Sequence, residues 1–135
     1  MIRTLKDPAW GKKVKSDPDF PRYAGQLKMA KRNLKKLFDA GVKIAFGTDT
    51  GPPARFQGYF EHRELELMVQ AGLTPSQALQ TATLNAAECL GISNDFGTLE
   101  NGKRADVILL DADPLDDITN TRKINQVWVG GREVY

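Results

Sequence analysis

The feature that most constrains this chain is a change of pattern at Gly91. Before it, apolar residues recur at helical spacing, with one β-prone run, Val42 to Phe46, among them. After it, apolar residues come in short runs separated by turn signals. A chain that reads this way is an α/β piece.

Its elements can be placed from local chemistry. Residues 1–23 hold Pro8, Pro18 and Pro21 and form an irregular lead-in, with a short helix around Trp10 to Val14. Leu27, Ala30, Leu34, Leu37 and Phe38 fall on one helical face, and Gly41 supplies the left-handed stop. Val42 to Phe46 follows as a buried strand, broken sharply by Gly47-Thr48-Asp49-Thr50-Gly51-Pro52-Pro53. A helix over about Phe60 to Ala71 carries Leu65, Met68 and Val69 and ends at Gly72. Thr74, Pro75 and Gln77 then announce a capped helix start, and that helix runs to about Leu90. Beyond it, Gly97 to Glu100 and Val107 to Leu110 read as strands. Gln126 to Val129 and Arg132 to Tyr135 read as a hairpin around Gly130-Gly131.

Composition excludes several classes. No apolar run nears the roughly 18 residues of a membrane span, and Met1 to Lys15 is basic without the apolar stretch of a secretory signal. The one cysteine, Cys89, cannot form an internal disulfide. It reads as a small buried residue in a reducing compartment, which gives a cytoplasmic expectation. Residues 1–40 carry eleven Lys and Arg against four Asp and Glu, and residues 41–135 carry eight against thirteen. Lys28, Lys31, Arg32, Lys35 and Lys36 interleave with apolar residues at helical spacing, so the basic start reads as the solvated face of an amphipathic helix. No nucleic-acid partner is expected.

One segment looks chemical by itself: Ala45-Phe46-Gly47-Thr48-Asp49-Thr50-Gly51. Sites in α/β architectures sit just beyond the carboxyl ends of strands. Asp49 there is either a metal ligand or base, or the side chain of an Asx turn. His62 is the only histidine, and a lone histidine is more often a surface or packed residue than a ligand. With no second histidine at metal-pair spacing, a self-sufficient zinc site is not expected.

Four stretches together resemble the C-terminal third of a metal-dependent amidohydrolase, in the imidazolonepropionase-like and Xaa-Pro or Xaa-Arg dipeptidase-like branch. They are Ala40 to Asp49, Glu64 to Pro75, Ala78 to Gly91, and Gly97 to Asp106 with Asp113-Pro114-Leu115 and Val129-Gly130-Gly131. They cover roughly residues 25–135. The resemblance implies a distorted (β/α)8 barrel with a β-sandwich built from both chain ends. A complete barrel takes about 250 residues, so this chain supplies its C-terminal part. Residues 1–91 correspond to the end of the barrel and 92–135 to the returning sandwich strands.

The resemblance further implies that residues 42–46 are the eighth barrel strand. Asp49 then ligates the metal, usually zinc, and handles the proton of the attacking water in hydrolysis of an amide or related C–N bond. Residues 52–62 face the substrate, a small molecule, with Arg55 and His62 as contacts. The family's His-x-His and its ligands from the fourth to sixth strands are absent from this sequence. The chain alone is therefore expected to hold no zinc and to be inactive. The alternative is a non-catalytic structural or oligomerisation protein derived from such an enzyme. The open edges of Val42–Phe46 and Val107–Leu110 predict a homo-oligomer.

Overall fold

The computed structural model describes residues 8–51 and 56–135. Five helices come first: α1 (Pro8–Lys15), α2 (Phe20–Asp39), α3 (Tyr59–Gln70), α4 (Pro75–Ala82) and α5 (Leu84–Cys89). Strand β1 (Val107–Leu110), a 3-10 helix (Ile118–Arg122), β2 (Ile124–Val129) and β3 (Arg132–Glu133) follow.

Three of the helices stop in the same way. At the end of α2, Gly41 N–H donates to Phe38 C=O and Val42 N–H to Leu37 C=O; at the end of α3, Gly72 pairs with Val69 and Leu73 with Met68. At the end of α5, Gly91 pairs with Glu88 and Ile92 with Ala87. This is the Schellman arrangement, which satisfies carbonyls that the helix leaves open and sets an apolar residue back against the last turn. It needs a left-handed residue, and Gly72 has a φ of 108°. The start of α4 is as local: Thr74 accepts from Gln77 N–H, and the Gln77 side chain accepts from Thr74 N–H.

The helix read as continuous to Leu90 is broken at Thr83, whose φ and ψ are −118° and −89°. Thr81 and Thr83 are β-branched, and their hydroxyls bond back to the Ala78 and Leu79 carbonyls, which weakens a helix interior. The break leaves the Thr81 carbonyl to accept from Phe46 N–H at 3.0 Å. One turn on, the buried Asn85 donates to the Ile44 carbonyl at 2.9 Å.

Those two bonds correct the reading of Val42 to Phe46 as a buried strand. Among the described residues it has no strand partner and is held by helices, with Ile44 and Phe46 half-buried against the core and Val42 and Ala45 exposed. A strand exists only as half of a ladder. Gly97 to Glu100 is also not a strand. Gly97 has a φ of 96°, and a Cβ there would stand 2.8 Å from Ala87 Cβ. The chain bends at that point to lie directly on α5.

The hairpin is where the sequence placed it. β1, β2 and β3 form one antiparallel sheet in that order. Val107 faces Trp128, Ile108 faces Val127, and Trp128 faces Glu133. Gly130 and Gly131, at φ 58° and 76°, make the two-residue turn with both central φ values positive that suits strand twist.

The core is Leu65, Met68, Leu73, Ala78 and Ile118, with Leu34, Phe38, Ile44, Phe46, Val69, Leu79 and Ala82 packed around it. Ile118 brings the C-terminal part into the helical core. Lys28, Arg32 and Lys36 are exposed, while Lys31 reaches Gln70 and Lys35 reaches Asp39, so the basic face is largely solvated. No described helix is long and apolar enough to cross a membrane.

Candidate functional site

The turn after Phe46 is anchored on one side by the Phe46–Thr81 bond. Its centre, Asp49, is exposed and has a φ of 51°, the one left-handed residue other than glycine among those described. Such a conformation costs a non-glycine residue about 1–2 kcal/mol, and aspartate tolerates it better than most.

Around Asp49 the geometry is specific. The Thr48 and Thr50 hydroxyl oxygens lie 3.2 Å apart. Both meet one oxygen of Glu61, in the first turn of α3: Thr50 donates to Oε1 at 2.6 Å and Thr48 at 3.1 Å. The other oxygen, Oε2, is buried with no hydrogen-bond partner among the described residues. The Thr50 hydroxyl above all, then the residue's own backbone N–H, with a smaller contribution from Thr48, holds the Glu61 carboxyl below its usual range. Glu61 carries little in the sequence to mark it. Its only signal was an acidic residue in the first turn of a helix that starts without a side-chain cap.

His62, next along α3, is half-buried and committed to another contact. Its Nδ1 lies 2.9 Å from Thr121 Oγ1. The Thr121 hydroxyl donates to the Ile118 carbonyl at 2.8 Å, so its oxygen accepts and His62 Nδ1 carries the proton. Burial first, and then the Arg122 charge, lower the His62 pKa. Beside it, Glu66 Oε1 accepts from Arg122 Nε at 2.9 Å and Nη2 at 2.6 Å, and Oε2 accepts from Arg63 at 2.7 Å. The Arg122 guanidinium also sits 5.0 Å from the Tyr59 ring centre. These contacts clasp the 3-10 helix to α3. They brace the helix that carries Glu61.

Arg55 lies outside the described residues. Cys89 is exposed, a correction to its reading as a buried residue. It ends α5 on the solvent side, near the Lys43–Glu88 ion pair at 2.7 Å. Among the described residues, no three His, Cys, Asp or Glu side chains gather into a metal-sized cluster. A catalytic zinc takes three protein ligands, so the described donor set does not fit a complete centre.

Comparison with known proteins shows the family of the chain. The amidohydrolase family model matches residues 17–134. Ochratoxinase from Aspergillus niger is 35% identical over 134 residues, which is 95% of this chain and 25% of the relative. Imidazolonepropionase from Deinococcus deserti is 36% identical over 104 residues, 74% of this chain and 26% of the relative. A Xaa-Pro dipeptidase crystal structure with bound methionine superposes with a TM-score of 0.77 at 31% identity, covering 91% of this chain and 31% of that one. The chain belongs to the amidohydrolase family, a class of hydrolases. It spans about a quarter of the length of the curated relatives that it matches.

Proposed function

We propose that this chain is the C-terminal part of a metal-dependent amidohydrolase that hydrolyses an amide or cyclic amide C–N bond in a small molecule. Residues 1–91 form the end of its (β/α)8 barrel and residues 92–135 the returning strands of a composite β-sandwich. In the longer enzyme Val42–Phe46 takes the place of the eighth barrel strand, with strand partners supplied from beyond this chain. Asp49, at the carboxyl end of that run, is the catalytic carboxylate and one ligand of a zinc centre whose other ligands come from beyond this chain. Arg55 and His62 belong to the substrate-facing loop and the helix turn after it. We place the protein in the cytoplasm.

The observation that carries this reading is the left-handed Asp49 at the end of an apolar run, within a segment that matches the family over residues 17–134. The coding DNA upstream is the direct test. A contiguous frame with His-x-His and five or six βα units supports the reading, and an upstream region with neither contradicts it. In the longer enzyme, Asp49→Asn removes the charge and keeps the shape. Turnover should fall by about three orders of magnitude, roughly 4 kcal/mol of barrier; retention of a tenth of the activity would contradict the role.

A second reading is favoured by the incomplete donor set: a non-catalytic protein that uses this piece for assembly. Both readings give a homo-oligomer. Ile108 and Leu109 on the open edge strand are 57% and 51% exposed, and Leu99 and Leu90 are 84% and 72% exposed. Apolar surface of this kind is covered by other chains. Light scattering should give a mass above 15 kDa.

A further inference from the structure

We propose that Glu61 is the positioning residue of Asp49. This rests on the reading of Asp49 as the site carboxylate and adds what fixes its conformation. In an extended chain, residues two apart share a face, but their Cα atoms are about 6.6 Å apart. The left-handed turn at Asp49 folds Thr48 and Thr50 toward each other until their hydroxyl oxygens are 3.2 Å apart. Glu61 Oε1 then accepts from both. Relaxing Asp49 to an extended conformation would separate the two hydroxyls, so one carboxylate oxygen could no longer take both. Glu61 can do this because its helix is pinned by the Glu66–Arg122 and His62–Thr121 contacts, which give it a rigid platform. The chain thus holds an unfavourable backbone state at the residue that the chemistry needs.

The competing role for Glu61 is that of an acid serving only its own helix start. The two roles separate under substitution. Glu61→Gln keeps one acceptor oxygen for the two hydroxyls. It should therefore rescue what Glu61→Ala loses. The double variant Thr48→Val, Thr50→Val leaves Glu61 and α3 intact and removes the donors.

Triple-resonance NMR on the 135-residue chain reads the Asp49 conformation from its Cα and Cβ shifts and its HN–Hα coupling. We expect Glu61→Ala and the double valine variant each to lower the left-handed to extended ratio at Asp49 at least about tenfold, with Glu61→Gln within about threefold of the parent. The α3 amides from Leu65 to Gln70 should keep their shifts in the valine variant. A valine variant with unchanged Asp49 shifts would overturn the proposal, and so would loss of the left-handed state in Glu61→Gln. If Glu61→Ala does not fold, the valine variant decides alone. No metal or substrate is present in this measurement, so failure of Asp49 as a ligand would show in the Asp49→Asn activity and leave the NMR result unaffected.

Discussion

Two apolar runs of similar character end up in different states. Val107–Leu110 is a strand, because β2 lies beside it in register. Val42–Phe46 is not, although its residues are as β-prone, because the groups beside it are the Thr81 carbonyl and the Asn85 amide of two short helices. β-propensity describes a fit to a pleated, half-buried surface and does not create that surface. Val42–Phe46 leads into Asp49 and has no strand neighbour among the described residues. Val107–Leu110 finds its partner, β2, within the chain. The proposed site follows the run that lacks its ladder.

The largest expected effect comes from unseating the scaffold. Gly97 turns the chain against α5 at a φ that side chains rarely adopt, with no room for a Cβ. Gly97→Val should cost about 3–5 kcal/mol, combining backbone strain with overpacking. Urea denaturation measures it; a cost under about 1 kcal/mol would mean that the 92–106 connection is not seated on α5.

A smaller effect tests the other run. Asn85→Ala deletes the side chain that holds the Ile44 carbonyl and should destabilise by about 1–3 kcal/mol. The loss should be local. Hydrogen exchange at Phe46 should quicken well before exchange in the β1–β2 ladder changes. Equal quickening in both regions would contradict the separation drawn here.

The smallest effect is a pH dependence. The folded-state pKa of His62 is lowered, so the unfolded chain binds its proton first as pH falls through about 6.5. Between that pH and the lower folded value, the unfolded state holds more protons and stability declines. The lowered Glu61 and Glu66 carboxyls add a further decline below about 4.5. His62→Gln should flatten the first decline and leave the second. An unchanged slope between pH 7 and 5 would show that His62 does not carry it.

What was legible in the sequence was what short-range chemistry decides. The glycine stops at 41, 72 and 91, the Thr74 capping box and the Gly130-Gly131 turn each depend on a few adjacent residues, and each is where the pattern put it. The failures share one cause. The Thr81 and Thr83 hydroxyl bonds at the helix break, and the packing that sets the bend at Gly97 and the exposure of Cys89, are alike invisible to apolar periodicity. Asp49 stood out because a turn follows an apolar run. Glu61 did not, because its link to Thr48 and Thr50 crosses eleven or more positions and appears only when α3 folds back on the turn.

The central claim is that this chain carries Asp49 as one part of a metal centre completed elsewhere. Calorimetric titration of zinc into the 135-residue chain, with Asp49→Ala in parallel, tests it most directly. Binding should be no tighter than about micromolar and indifferent to the substitution, because one carboxylate falls short of the three ligands that a catalytic zinc takes. A stoichiometric nanomolar site that Asp49→Ala abolishes would contradict the claim and make this chain a metalloprotein in its own right.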